Sequence, residues 1–399
     1  MKLTRTNRTA GLSLIELLVS MAIGLVVTLA ITSVLIRSES SKRSSTSVND
    51  INQSGAYATY VLDRVIRSAG SGFSQSWSTT YGCLLNVASG GKPVLPLPAV
   101  IPASSAFANV TVQIRLAPLI IGKDRADIAG QTRGDVLMVM AGTAGVGEAP
   151  QPVDQAASTP VTSSLISLRT ALGYAQNDVV LLVNTSASAN CAMDQIGAIL
   201  PATPASAVPL AGNYHRDNSA YGADTFVRQI GRDAANPPEF KLYGVGPDST
   251  LVSYDLLKST PTDAQISDGI VEMRALYGIE PSPTTPTTVN KVGSWVAATG
   301  DFADTVLTDG SPESRDKMRR ILAVRVGMIL RTALKEKAKP TDSKAGTNVE
   351  GFDSANVDSR TLFAGSEFSA FKQTRDAEAG YRYRTVELTI PLRNVLLAQ

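Results

Sequence analysis

An apolar run near the start of the chain constrains its fold more than any other feature. Residues 12–36 read LSLIELLVSMAIGLVVTLAITSVLI, and Glu16 is the only ionisable side chain among them. A helix of this length covers the roughly 30 Å hydrocarbon core of a bilayer. The preceding residues include bases but no acid, and positively charged flanks stay on the cytoplasmic side of a membrane. We therefore expect the chain to start in a membrane and everything after Arg37 to be translocated.

Three kinds of N-terminal segment could explain this pattern. A secretory signal peptide has an apolar core of only about 7–15 residues, whereas this run is much longer and leads into Arg37-Ser38-Glu39-Ser40. A plain single-span anchor explains the length but leaves Glu16 without a purpose, although an acid costs about 2.5–3.5 kcal/mol at the centre of a span. A processed anchor gives a role to the leader, to Gly11 and to Glu16, and it is the interpretation that we favour.

The residues Gly11-Leu12-Ser13-Leu14-Ile15-Glu16-Leu17 resemble the processing motif of type IV prepilins. The resemblance implies that a membrane prepilin peptidase cuts after Gly11 and methylates the new amine of Leu12, where the family usually has Phe. It also implies that Glu16 meets the terminal amine of a neighbouring subunit during assembly. Opposite charges attract strongly in a low-dielectric helix bundle, and either charge left alone there is penalised.

The helix is predicted to continue beyond the span. Apolar and small residues recur every three or four positions at Val48, Ile51, Gly55, Ala58, Leu62, Val65 and Ala69. Gly70 and Gly72 then end the pattern. We predict a leader at 1–11, a helix over 12–69 that is transmembrane over 12–36 and amphipathic over 37–69, and a domain over 70–399. Such a helix would be roughly 85 Å long at 1.5 Å per residue, giving the lollipop outline of pilins.

The domain is predicted to be rich in antiparallel strands, which makes the chain α+β. Alternating or continuous apolar segments occur at 110–116, 135–140, 178–183, 240–245, 251–256, 270–279, 321–330 and 383–392. Polar, proline-punctuated stretches at 201–212, 281–290 and 335–360 are expected to be surface loops. Length allows one enlarged domain or two lobes, and the sequence leaves both open.

The order of several segments also resembles the PilW class of minor pilins. They are Gly134–Leu137, Asp178–Leu181 followed by Cys191, Ser253–Leu256, Asp268–Ile270 leading to Tyr277–Ile279, Arg325–Arg331 and Leu392–Asn394. The resemblance implies a minor pilin that primes type IV pilus assembly with other minor pilins and the major pilin. It further implies a single-pass inner-membrane protein with a periplasmic domain that later reaches the pilus tip. A minor pseudopilin of type II secretion, or a bitopic periplasmic binding protein or enzyme, remains an alternative.

The chain has two cysteines, Cys83 and Cys191, and both fall in the part expected to be periplasmic. In an oxidising compartment we expect them to form a disulfide, with two buried thiols as the alternative. The long loop between them gives about 4–5 kcal/mol of stabilisation in the chain-entropy model, before strain is subtracted.

Little in the sequence suggests chemistry. His215 is the only histidine and has no serine or cysteine motif beside it, so we expect no catalytic residue, cofactor, metal or small-molecule substrate. Without the basic leader the chain is close to neutral, so nucleic acid is not an expected partner either.

Two further motifs have ordinary interpretations. Acids at Asp301, Asp304, Asp309 and Glu313 could ligate calcium, but they lack EF-hand spacing and are expected to lie in a solvated loop. Arg133-Gly134-Asp135 spells a tripeptide of adhesion ligands, yet it opens a predicted strand, where a turn into the strand explains it.

Overall fold

The structure, a computed structural model, describes residues 13–96, 101–111, 113–128, 131–144, 149–185, 190–199, 206–281, 290–335, 348–349, 352–353, 360–376, 378 and 380–398. The chain divides into two compact units, Met1–Asp50 and Ile51–Gln399. The boundary between them falls inside the longest helix, so each unit contains part of that helix.

The described helices are one long helix and several short ones. They are α1 Leu14–Ser68, α2 Trp77–Thr80, α3 Asp304–Leu307, α4 Pro312–Arg319 and α5 Arg393–Leu396, with 3-10 turns at Ser74–Ser76, Pro247–Ser249, Gly300–Phe302 and Ser366–Phe371. The ends of α1 lie within two residues of the range 12–69 that the sequence predicts.

The rest of the second unit is built mainly from strands. In chain order they are β1 Leu84–Ser89, β2 Lys92–Leu95, β3 Leu119–Ile128, β4 Gln131–Ala141, β5 Gln151–Pro152, β6 Leu165–Ser167, β7 Asp178–Asn184, β8 Asn190–Gln195, β9 Ala207–Pro209, β10 Thr225–Arg232, β11 Glu239–Val245, β12 Thr250–Asp255, β13 Ala264–Asp268, β14 Ile270–Ile279, β15 Ser294–Ala297, β16 Ile321–Arg331, β17 Asn348–Val349, β18 Phe352–Asp353, β19 Thr361–Leu362, β20 Gln373–Thr374 and β21 Tyr383–Pro391. The α+β class predicted from the sequence is confirmed.

Two sheets dominate the described part of the chain. A six-stranded sheet has the order β2-β1-β8-β7-β10-β5, and a nine-stranded sheet has the order β13-β12-β11-β4-β14-β16-β21, with β15 paired to β14 and β3 to β4. Most neighbours are antiparallel, and the exceptions are the parallel pairs β1–β8 and β4–β14. Two-stranded pairs β17–β18, β19–β20 and β6–β9 lie outside these two sheets.

Seven of the eight predicted strand segments coincide with strands β4, β7, β11, β12, β14, β16 and β21. The prediction for 110–116 is wrong, because the described residues there form only an isolated bridge between Arg115 and Leu84. Ile114 and Leu116 are fully buried. The alternation of apolar residues therefore reports a buried side of an extended segment that is not part of a β-ladder. β2 pairs only with Val87–Ser89, and the segment runs beside the start of β1, where the Leu116 N–H donates to Cys83 O at 2.9 Å and the Leu85 N–H to Ile114 O at 3.3 Å.

The second part of α1 packs on the nine-stranded sheet through the predicted stripe. Ala58, Leu62 and Ile66 are fully buried and share one core with β16 residues such as Met328 and Leu330. A Cβ added to Gly55 would lie 3.0 Å from Leu330 Cδ2, so the small residue lets helix and sheet approach closely. This packing is the reason for the three-and-four spacing in the sequence.

The end of α1 is fixed by residues from distant parts of the chain. Gly70 takes φ +78°, a left-handed conformation that favours glycine, and its N–H donates to Met140 O at 2.8 Å. Asn394, at the other end of the sequence, donates its side-chain amide to Ser68 O at 3.1 Å and Ala69 O at 3.0 Å. These bonds satisfy carbonyls that a helix end leaves without partners.

Candidate functional site

The N-terminal region is the first candidate site. The predicted processing residues Gly11 and Leu12 lie outside the described residues, and α1 begins at Leu14. Glu16 is exposed in the first turns of α1, where its backbone N–H donates to Ser13 O at 3.0 Å. Between 13 and 36 the chain has no basic side chain that could neutralise it. The basic residues nearest to Glu16 in the sequence are Arg8 in the leader and Arg37 after the apolar run.

The apolar segment satisfies its own polar groups. Thr28 Oγ1 donates to Gly24 O at 3.0 Å, Thr32 Oγ1 to Thr28 O at 2.7 Å and Ser20 Oγ to Leu17 O at 2.9 Å. In a bilayer interior, where water is absent, such internal bonds remove the cost of these hydroxyls. Within the described residues, α1 is the one helix whose length and composition suit a membrane span.

The two cysteines meet as the sequence predicts. Cys83 and Cys191 form a disulfide with a Cα–Cα distance of 5.7 Å, and both residues are fully buried. Cys83 directly precedes β1, and Cys191 lies on β8 opposite Leu85 in the parallel β1–β8 pair. The bond therefore ties the residues that follow α1 to the interior of the six-stranded sheet.

His215 lies beside a buried acid. Its Nδ1 is 3.1 Å from Oδ1 of Asp194, whose side chain has no exposed surface, and Asn218 Nδ2 donates to the other oxygen at 2.6 Å. Burial raises the pKa of Asp194, while the Gln195 N–H and His215 act in the opposite direction. The group thus forms a hydrogen-bonded network that joins β8 to the loop before β10.

In the acidic stretch around 301–313, the carboxylates of Asp301, Asp304 and Asp309 have partners within the protein. Asp304 accepts two hydrogen bonds from Arg125, from Nε at 2.9 Å and from a terminal nitrogen at 3.3 Å. Asp301 pairs with Lys317 at 3.0 Å, and Asp309 accepts the Ser311 N–H at 2.7 Å. Among the described residues no group of three or more His, Cys, Asp or Glu side chains is placed to hold a metal ion.

The Arg133-Gly134-Asp135 tripeptide is divided by the fold. A Cβ on Gly134 would come within 1.9 Å of Met273 O, so this position passes too close to β14 for any other residue. Asp135 is buried, accepts the Ala275 N–H at 2.8 Å and lies 3.3 Å from Arg274. Its carboxylate is therefore committed to the sheet and is not presented as an adhesion ligand.

Sequence reasoning missed a cluster of arginines at one end of the large sheet. Arg133 near the start of β4, Arg331 at the end of β16 and Arg375 after β20 line a common cavity. They come from segments far apart in the chain, so no local spacing connects them. The nearest local signal is the basic stretch 375–384 (RDAEAGYRYR), whose interleaved acids indicate no more than a surface or subunit contact.

Comparisons with protein-family models agree with both resemblances. Residues 6–32 match the prokaryotic N-terminal methylation motif, and residues 231–394 match type IV pilus-assembly protein W. The second match includes every strand of the nine-stranded sheet except β3 and β4. The comparisons with curated proteins and with solved structures gave no significant match.

One family match lies within the first compact unit and the other within the second. The first includes most of the apolar part of α1, and the single span fits a membrane-anchored pilin. The second covers most of the sheet on which α1 packs. Both families consist of structural assembly proteins, and the motif implies contact with a prepilin peptidase and with pilus components. The chain is therefore a pilin-like protein related to type IV pili.

Proposed function

We propose that this chain is a minor pilin that primes type IV pilus assembly. A prepilin peptidase cuts it after Gly11 and methylates Leu12, and α1 holds it in the inner membrane with its C-terminal domain in the periplasm. It then joins other minor pilins and the major pilin and occupies the pilus tip. The observation that carries this proposal is that one chain contains both the methylation motif and the match to pilus-assembly protein W.

The size of the second unit supports a position at the tip or in a priming complex. Ile51–Gln399 form one compact unit. A domain of this bulk on every subunit would crowd a helical lattice of closely packed N-terminal helices. The protein is therefore expected in few copies, on a fibre built from a smaller pilin.

The chemistry of assembly centres on Glu16. It is the only ionisable residue between 12 and 36, and cleavage after Gly11 would create a free amine close to it in sequence. In a bundle of such helices, the carboxylate of one subunit neutralises the amine of another and sets their register. Either charge without its partner raises the cost of staying in the apolar bundle.

The role of Glu16 can be tested with a pair of matched variants. Glu16→Ala should insert and accumulate normally but fail to appear in sheared fibres, because the intersubunit attraction is lost while membrane residence becomes easier. Glu39→Ala removes an exposed acid of the same helix outside the span and should be incorporated normally. Immunoblots of the membrane and fibre fractions measure both. Normal incorporation of Glu16→Ala would show that the acid is incidental.

Deleting the gene tests whether the protein acts in a type IV pilus or in a type II secretion system. The proposal expects surface pili and pilus-driven motility to be abolished or sharply reduced, while export of secreted hydrolases is unchanged. Electron microscopy and an assay of exported enzyme activity provide the two readouts. Normal piliation with lost secretion would assign the chain to the pseudopilins of type II secretion. Two normal results would favour a periplasmic binding protein or enzyme, and complementation by the intact gene is the control.

A further inference from the structure

A cavity of about 460 Å³ lies at the end of the nine-stranded sheet where β4, β12 and β14 begin and β16 ends. It is lined by Arg133, Ser249, Arg331, Arg375 and Glu378. Its volume falls in the range of roughly 300–1,000 Å³ typical of small-molecule sites. The lining contains three guanidinium groups and one carboxylate, so it carries an excess of positive charge.

Two of the arginines are held in place by neighbours. The Arg331 guanidinium lies 4.3 Å above the ring of Tyr381, contacts Ser249 Oγ at 3.5 Å and pairs with Glu378. Arg375 lies 3.5 Å from Glu272 and 3.8 Å from Glu378. Glu272 is also bound at 2.9 Å by Arg274, so its charge is shared with a cation outside the cavity.

Arg133 differs from Arg331 and Arg375 because it has no ion-pair partner within the described residues. Its Nε is buried without a hydrogen-bond partner, and among the described residues no carboxylate pairs with it. Burial, together with the charges of Arg375 and Arg331, lowers its pKa from the ordinary arginine value. A guanidinium still stays protonated in such a site. The cavity wall therefore includes a half-buried guanidinium whose buried Nε has no hydrogen-bond acceptor among the described residues.

Glu378, the one acid of the lining, is more exposed than Arg331 and Arg375. The side chain of Glu378 keeps 46% of its surface exposed, against 20% for Arg331 and 24% for Arg375. The side chains of Arg331 and Arg375 are thus more buried than that of Glu378. Ser249 also lines the cavity, and both it and the preceding Asp248 take φ +58°, a left-handed conformation that costs energy in non-glycine residues.

We propose that this cavity is a binding site for a phosphate group, either inorganic phosphate or a small soluble phosphomonoester. A phosphate carries about 1.5–2 negative charges near neutral pH, which matches the charge excess of the lining. Its oxygens accept the paired N–H groups of several arginines at once, as planar guanidinium groups favour. The seryl hydroxyl offers a further donor. The inference is independent of the proposed role in pili.

Glu378 acts in this site as an internal competitor. In the empty cavity its carboxylate takes the Arg331 donors and lies near Arg375, and an arriving phosphate must displace it. Removing its charge should therefore strengthen phosphate binding, whereas removing the charge of Arg133 should weaken it. These opposite effects distinguish a built site from nonspecific attraction to a basic surface.

The test is isothermal titration calorimetry on the full chain in nonionic detergent at constant ionic strength. The probes are inorganic phosphate, glycerol 3-phosphate and acetate. Wild type should bind one phosphate, and acetate much more weakly. Arg133→Gln should weaken phosphate binding by about tenfold to a hundredfold, because it removes charge-assisted hydrogen bonds. Glu378→Gln should tighten it severalfold.

Arg169→Gln is the matched control, since Arg169 is an exposed arginine away from the cavity lining, and it should bind as wild type does. Thermal unfolding of each variant in chloride shows that it is folded. Tighter binding of glycerol 3-phosphate than of phosphate assigns a phosphomonoester, and the reverse assigns the free ion. The proposal is overturned if wild type binds no phosphate, if acetate binds equally well, or if Arg133→Gln behaves like Arg169→Gln.

Discussion

The two parts of α1 differ in what surrounds their apolar side chains. In the first unit the large apolar residues from Leu14 to Ile36 keep between 48% and 80% of their surface exposed. In the second unit Leu62 and Ile66 are fully buried, while Tyr57 and Tyr60 on the other side stay exposed. A single helix thus combines a segment that is apolar all round with a segment that has one apolar stripe.

The difference shows that two segments of one continuous helix can require different surroundings. An all-round apolar surface has no protein partner in its own unit and is suited to lipid. A stripe repeated every three or four residues is suited to one protein face, here the nine-stranded sheet. The two segments should therefore respond very differently to the same substitution, and the following predictions use that contrast.

The largest effect is expected from Gly11→Val, which should prevent cleavage and leave the leader attached. The peptidase must accommodate the residue before the cut, and a branched side chain obstructs that approach. Mass spectrometry of the N-terminus of the membrane-purified protein measures the result. Gly24→Val makes the same change inside the apolar segment, where an added Cβ meets nothing within 4 Å, and should be processed normally. A mature terminus at Leu12 in Gly11→Val would contradict the prediction.

The disulfide should matter only to the second unit. Replacing both Cys83 and Cys191 by Ser reopens a loop with a sequence separation of 108. The chain-entropy model predicts a loss of about 4–5 kcal/mol in the free energy of unfolding, before strain is considered. Both tryptophans, Trp77 and Trp295, lie in the second unit, so their fluorescence during urea unfolding of the detergent-solubilised chain reports it. Reductant should destabilise wild type but leave the double variant unchanged.

A leucine pair compares the two parts of α1 directly. Leu62→Ala should lower the free energy of unfolding of the second unit by about 2–5 kcal/mol, because it leaves a cavity under the helix. Leu25→Ala removes a side chain that is 62% exposed and should leave the unfolding of that unit unchanged. The same fluorescence measurement serves both variants. Equal effects would mean that the two segments are not solvated differently.

The smallest effect is a pH dependence from a buried acid. Burial raises the pKa of Asp135, although Arg274 and the Ala275 N–H oppose the shift. The native state therefore keeps this proton after the unfolded chain has lost it, near its ordinary pKa of about 3.9. The contribution of Asp135 to the free energy of unfolding is therefore greatest below the unfolded-state pKa. It is lost as the pH rises through the raised pKa of the native state.

Asp135→Asn removes this titration. As the pH increases from about 4, the free energy of unfolding of wild type should fall relative to that of the variant. The altered hydrogen bonds add a difference between the two proteins that does not depend on pH. Urea unfolding at several pH values measures the slope, with Asp224→Asn, on an exposed acid of the same unit, as the control. A wild type that gains stability relative to Asp135→Asn over this interval would show that the sign is wrong.

Patterns that report burial were reliable guides to the fold. The stripe through Ala58 and Leu62 predicted the buried face of α1, and the run 270–279 coincides with β14. The wrong prediction at 110–116 used the same kind of pattern. An extended segment can bury alternate side chains without pairing to a neighbouring strand. The expectation of a disulfide between Cys83 and Cys191 is confirmed.

The sequence by itself determined the apolar segment, the place of Glu16 within it, the phase of the amphipathic helix and most strands of the large sheet. Each of these depends on neighbouring residues, because the periods of helix and strand are local properties. The tertiary structure decided that Asn394 caps α1, that Asp135 is buried beside Arg274, and that three distant arginines share one cavity. Those contacts join residues separated by many strands, and their free energies depend on distances that only the folded sheet sets.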